Sequence, residues 1–262
     1  MDTIWIYSLN LGIVALMMVI GWLVSLKLEN VTVVDSLWAV GFMLIAWSSL
    51  MLGPGGTLRS LLLVLMTTAW GLRLSGYLSW RNWGKGEDPR YGTWRARHGE
   101  HFGKVSLYKV FLLQAVFLWV IALSLQYGIL GSVPAGLTWL DALGIVIWII
   151  GFGFEAIGDY QLARFKADPA NKGRVMDKGL WAYTRHPNYF GEAMVWWGVA
   201  LMVLSVPGSW WTLISPIIIT AVLLKMTGVT LTERHLVDNK PQYRDYMQRT
   251  SSFIPWPPKR RR

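Results

Sequence analysis

Arg185, His186, Asn188 and Glu192 stand close together in the stretch Gly179–Glu192, GLWAYTRHPNYFGE. A guanidinium, an imidazole, a carboxamide and a carboxylate can together grip an anion and hold amide or hydroxyl groups. Pro187 suits the first turn of a helix, where its missing N–H costs nothing. The cluster is therefore expected at a helix N-terminus, where unpaired N–H groups and the positive dipole end favour an anion. Asn188 and Glu192 are one turn apart and can share a face. The competing reading is an interfacial cap, with Arg and aromatic side chains anchoring a membrane helix.

Other ionisable groups fall inside apolar runs, where they are expensive and are functional candidates by default. Asp35 shares a helical face with Trp38 and Phe42, and Trp70, Arg73, Tyr77 and Trp80 form another. Glu155, Asp159, Leu162 and Lys166 line up on a third. Interhelical ion pairs and a snorkelling lysine are the plainer alternative, and for Lys225 the better one. Asp159, Arg73 and Glu192, together with two long basic connections, predict a polar chamber open to the cytoplasm. Arg and Lys there could hold a diphosphate and a ribose 2′-phosphate. Asp159, Asn188 and Glu192 could hold amide and ribose hydroxyls, with Trp181, Tyr183 and Tyr189 as stacking surfaces.

These groups need elements to position them. Of the 262 residues 53% are hydrophobic, which fits one polytopic membrane domain. Seven spans are expected, near 4–26, 33–52, 58–80, 108–127, 138–160, 189–206 and 209–229. Gly53-Pro54-Gly55-Gly56 marks a turn between the second and third. The net charge of +10 lies mostly in connections 81–107 and 161–188 and in the Lys259–Arg262 tail. That alternation orients a membrane protein and argues against nucleic acid as partner. It puts the N-terminus outside and the C-terminus in the cytoplasm. Lipid is the expected surrounding partner, and the first segment, lacking a basic leader, is expected to be retained.

Several chemistries find no support. The chain has no Cys, which removes thiolate catalysis, disulfides and Cys-bound metal. His98 and His101 lack convincing further ligands, so no metal is expected. Gly151-Phe152-Gly153 sits inside an apolar helix and reads as packing rather than a dinucleotide turn. No internal repeat suggests a transporter.

The stretch RHPNYFGE resembles the C-terminal signature of membrane-embedded steroid 5-alpha-reductases and sterol reductases, to which isoprenylcysteine methyltransferases are related. The likeness runs from about Phe154 to Pro255 and, on length, points to bacterial members. It implies an all-α membrane fold, NADPH as cofactor and an inner-membrane enzyme with its cofactor site facing the cytoplasm. Asp159 with Phe165-Lys166, Gly179-Leu180-Trp181 and Asn188–Glu192 match the regions that bind NADPH in that family. Glu233-Arg234-His235 and Tyr243-x-x-Tyr246 resemble its C-terminal cofactor-covering segment, and Arg73 with Tyr77 its Arg-x-x-x-Tyr. The implied cofactor contacts are Arg73, Asp159, Lys166, Asn171, Trp181, Arg185, His186, Asn188, Tyr189, Glu192, His235 and Tyr246.

On the substrate side the chain departs from the family. Trp70 occupies the position of a family Tyr, and Asp35 is the only early intramembrane acid. An indole N–H donates a hydrogen bond but delivers no proton. Asp35, kept protonated in a dry site, is therefore expected to bind the substrate ketone, with Trp38, Phe42, Trp70 and Tyr77 around it. The resulting expectation is NADPH-dependent reduction of the C4–C5 double bond of a 3-oxo-Δ4 steroid or similar hydrophobic enone. Residues 1–80 would serve the substrate and 81–262 the cofactor, within a single domain. The rival is an S-adenosylmethionine-dependent methyltransferase, disfavoured because a sulfonium cofactor needs no cluster of cations.

Overall fold

The computed structural model describes residues 3–54, 56–226, 233, 236–237, 240 and 242–259. Among these residues the regular structure is helical, with one isolated bridge between Thr184 and Ser251 and no strand. In chain order the helices are α1 (Thr3–Leu28), α2 (Val33–Leu52), α3 (Leu58–Asn82), α4 (Pro89–Ile121), α5 (Leu123–Leu130) and α6 (Trp139–Ala167). They continue with α7 (Pro187–Val203), the apolar stretch α8 (Ser209–Lys225) and α9 (Tyr243–Arg249).

Five of these, α1 to α4 and α6, are long and apolar enough to cross a membrane. They match the first five expected spans, the fourth beginning earlier, at Pro89. The remaining two expected spans correspond to α7 and α8. At 17 residues α7 rises only about 26 Å.

Local chemistry sets the starts. Thr57 Oγ1 accepts the Ser60 N–H at 3.1 Å and caps α3 just after the glycine-rich turn. Asp88 accepts the Arg90 N–H at 2.9 Å, and Pro89 opens α4. Pro187 opens α7, as its ring geometry favours.

Tertiary contacts gather the chain into two compact units, Met1–Thr138 with Val203–Thr212, and Trp139–Met202 with Leu213–Arg262. In the first unit a buried polar knot ties three helices. Asn10 of α1 donates to Ser49 of α2 at 2.9 Å and to Gln126 of α5 at 2.8 Å, and Ser48 donates to Asn10. Arg59 is fully buried, and two of its N–H groups meet the carbonyls of Pro134 and Gly136, both at 2.9 Å.

The second unit is built on glycine. Gly144, Gly151 and Gly158 recur every seventh residue on α6, and Gly191 and Gly198 do so on α7. A Cβ at Gly151 would lie 2.6 Å from Val195 N and 2.7 Å from Gly191 O. At Gly198 it would lie 2.6 Å from Gly144 O and 2.7 Å from Trp148 N. The two backbones therefore touch, and only hydrogen fits between them. Gly153 belongs to no such contact, since a Cβ there meets nothing within 4 Å.

This seam makes a discriminating prediction. Gly151→Leu forces backbone against backbone and should lower the melting temperature of the purified protein markedly, in line with overpacking costs of about 1–3 kcal/mol or more. Gly153→Leu, two residues away, should melt as wild type. Equal melting of the two variants would contradict the seam.

Candidate functional site

The glycine seam ends where the chemistry begins. A Cβ at Gly158 would meet Pro187 Cγ at 3.1 Å and Asn188 N at 3.3 Å, so the first turn of α7 lies against Gly158. The next residue, Asp159, thereby meets Asn188. Asn188 Nδ2 donates to Asp159 Oδ1 at 3.2 Å. Glu155 and Glu192 are buried on the same two helices. The His186 ring stacks on Tyr189 with centroids 5.3 Å apart and planes 7° off parallel. Lys166 is exposed near the end of α6, and half-buried Asn171 donates to Phe165 O at 3.1 Å.

Arg185, Trp181 and Tyr246 make hydrogen bonds within the protein. Arg185 is 8% exposed. Its Nε and Nη2 donate to the two carboxylate oxygens of Glu233 at 2.7 and 3.2 Å. Its Nη1 donates to the carbonyls of Met247 and Thr250 at 2.9 and 2.6 Å. A fork so engaged grips the protein's own C-terminal segment rather than standing open to a phosphate. Trp181 is likewise buried, and its indole N–H donates to Gly158 O at 3.0 Å. Tyr246 donates its O–H to Trp181 O. Burial pushes the Tyr246 phenol well above its ordinary pKa, so it stays a neutral donor.

The segment after α9 runs over this platform as a strap. Arg185 N donates to Ser251 O, and Trp256 N to Tyr183 O, both at 2.9 Å. Thr184 Oγ1 donates to Phe253 O at 2.8 Å. Glu233 is the electrostatic centre, since His186 Nε2 also lies 3.1 Å from its Oε1. Burial alone would raise the Glu233 pKa, but the bonds from His186 and Arg185 outweigh it and hold the carboxyl below its ordinary value. His235, the neighbouring cofactor candidate, lies outside the described residues.

The first unit holds the substrate-side candidates. Trp38, Phe42 and Trp70 pack edge to face, with Phe42 5.4 Å from Trp38 and 5.7 Å from Trp70. Phe42 and Trp70 are completely enclosed by protein. The Arg73 guanidinium lies 5.5 Å from the Tyr77 ring centroid. Asp35 does not face a purely apolar wall. Its Oδ1 accepts the Tyr91 O–H at 3.2 Å, and its Oδ2 lies 3.6 Å from Arg90 Nη2. The donor of the pair is thus Tyr91, and Asp35 is the acceptor. Beside them Arg95 makes two 2.8 Å bonds to Glu87, which also accepts the Val31 N–H at 2.8 Å. Burial opposes ionisation of Glu87, yet these bonds hold its carboxyl below the ordinary range.

Sequence reasoning missed Tyr91, Arg90 and the bracing role of Glu233. The sequence placed residues 81–107 in a connection, and the partner of Tyr91 lies 56 residues away. Among the described residues no group of three or more His, Asp or Glu converges as a metal site would require.

Comparison with known proteins places the chain. The model of the family described as "Protein of unknown function (DUF1295)" matches residues 21–250, and the chain belongs to that family. It is 25% identical to the uncharacterized protein C594.04c of Schizosaccharomyces pombe over 89% of its own length and 75% of the relative's. It is 32% identical to human 3-oxo-5-alpha-steroid 4-dehydrogenase 2 over 25% of this chain and 26% of that protein. It is 37% identical to Arabidopsis thaliana steroid 5-alpha-reductase DET2 over 27% of each. No solved structure matches.

The strap yields a prediction. Arg185→Met leaves Glu233 without its main partner, and breaking such a buried pair costs about 3–5 kcal/mol. Backbone amide exchange at Arg185-equivalent position 185 and at Trp256 should then accelerate at least about tenfold, where 1.4 kcal/mol already suffices. Because the Glu233 pKa is depressed on folding, its stabilisation is full above its ordinary value. It is lost as pH falls through the folded value. Wild-type protection of these amides should therefore weaken in acid, and Glu233→Gln should flatten that dependence. Unchanged exchange in Arg185→Met would remove Arg185 from the strap's support.

Proposed function

We propose that this protein reduces the carbon–carbon double bond of a hydrophobic enone, of the 3-oxo-Δ4 steroid kind, with NADPH as hydride source. Support comes from the two local similarities to steroid 5-alpha-reductases. The observation that carries it is the Asp159–Asn188 hydrogen bond at the first turn of α7, flanked by buried Glu155 and Glu192. This donor set suits the polar part of a dinucleotide. A carboxamide can pair with an amide, and carboxylates can accept ribose hydroxyls. Exposed Arg164 and Lys166 at the end of α6 supply cations for phosphate, a role that Arg185 does not have open.

When bound, NADPH would supply a hydride to the β-carbon of the enone. The electrons of the double bond then move to the ketone oxygen, and the α-carbon takes up a proton from water or a side chain. The single Tyr91 O–H, which donates to Asp35 in the structure, would turn to the ketone oxygen as negative charge develops there. Asp35 orients the phenol, while Arg90 balances the carboxylate. Half-buried Trp38, backed by the enclosed Phe42, would offer apolar surface to a flat, greasy substrate.

Measured on purified protein, Asn188→Ala and Glu192→Ala should weaken NADPH binding at least about tenfold, or 1.4 kcal/mol. Their melting temperatures should stay near that of wild type. Tyr91→Phe should bind NADPH normally and lose about 10²-fold in enone turnover, the size expected for one oxyanion donor. If wild type neither binds NADPH nor reduces an enone, the reading fails.

For orientation we propose seven spans, with α7 and α8 completing the five long helices, the N-terminus outside and the C-terminus cytoplasmic. The alternating loop charges support it. Reporter fusions at Gly131 and Lys85 should lie on opposite sides, with Lys85 cytoplasmic. Finding both on one side refutes it.

A further inference from the structure

The strap borders an open pocket of about 320 Å³ in the second unit. Arg185, Arg249 and Lys259 line it, with the hydroxyl-bearing Thr250, Ser251 and Ser252. No carboxylate is among its lining residues. Arg185 is paired with Glu233 and Arg249, more loosely, with Asp177, so the excess positive charge comes from Lys259. The backbone holds Arg249 and Lys259 together, since Lys259 N donates to Arg249 O at 3.0 Å.

Arg249 is the telling residue. Its Nε is buried and has no hydrogen-bond partner. Its Nη2 lies 3.7 Å from Asp177 Oδ2, an ion pair longer than a hydrogen bond. The Nε is sealed from the pocket, but the side chain keeps 27% of its surface exposed, so its terminal nitrogens can meet a ligand there. Guanidinium N–H groups suit the oxygens of a phosphate, with a flexible ammonium and hydroxyls closing around it.

We propose that this pocket binds a phosphate monoester, a dianion matched by Arg249 and Lys259. The 2′-phosphate of the cofactor would supply that group, an assignment that rests on the function proposed above. A lipid phosphomonoester headgroup carries the same chemistry, and the experiment separates the two sources. The site would discriminate between NADPH and NADH, because the two differ only in the 2′-phosphate.

The test uses the full-length protein and calorimetry with adenosine 2′-monophosphate, NADPH and NADH. Nanodiscs of phosphatidylcholine with and without phosphatidic acid provide the lipid arm, read as melting temperature. Arg249→Gln and Lys259→Gln are compared with wild type. Lys259 is exposed, so its variant keeps the fold even if Arg249→Gln does not. The expected result is that wild type binds adenosine 2′-monophosphate and both variants bind it at least about tenfold more weakly. NADPH affinity should fall in parallel while NADH affinity stays unchanged, which assigns the 2′-phosphate as the occupant. If no dinucleotide binds, the functional reading fails. The pocket assignment then still stands if the monophosphate result holds, or if phosphatidic acid raises the melting temperature of wild type but not of the variants. Wild type that binds neither the monophosphate nor phosphatidic acid overturns the proposal. So do variants that bind every phosphate as wild type does.

Discussion

Everything in the second unit depends on how closely α6 and α7 approach. In an apolar medium there is no hydrophobic force to press two helices together, so close packing must supply the attraction. The glycines at 144, 151 and 158 and at 191 and 198 remove the side chains that would hold the backbones apart. The same seam fixes the register of the helices. With Gly158 against Pro187, Asp159 and Asn188 meet, and Glu155 and Glu192 fall on the helices that carry them. A packing device thereby decides which polar groups converge.

The second organising feature is an exchange of roles. Basic residues beside a functional signature are naturally read as ligand contacts. Arg185 instead spends its donors on Glu233 and on two carbonyls of the C-terminal segment. That arrangement satisfies a buried guanidinium and holds the strap against residues 181–186. The strap is thus anchored by one buried charge pair and by backbone hydrogen bonds from Arg185 and Trp256.

In the first unit the decisive contact joins parts of the chain far apart in sequence. The turn after α1 is tied to residues 87–95 through Glu87, Arg95 and Thr32, and this tie brings Tyr91 onto Asp35. A lone acid at the head of an apolar helix gains a phenol donor and a guanidinium beside its carboxyl group. Tyr91 thus reaches Asp35 from another element, across 56 residues of sequence. Trp70 itself packs on Phe42 and is completely enclosed.

The helical membrane character was legible because it is a property of runs: apolar length, turn glycines and the Pro187 start are local signals. The shared face of Asn188 and Glu192 also follows from helical periodicity alone, as does the grouping of Trp38 with Phe42. The reading of Gly151 as packing needed no more than its apolar surroundings. Other assignments depended on partners that no local pattern names. Whether Arg185 faces a ligand or Glu233, and whether Asp35 meets an apolar wall or Tyr91, is set by contacts 48 and 56 residues apart. The grouping of α1 to α5 into one unit, with its boundary after Thr138, is equally a matter of long-range packing. Sequence alone determined which groups are costly in an apolar chain and must find partners. Only the tertiary structure decided which partners they find, because a charge is satisfied by whatever the fold brings within hydrogen-bond reach.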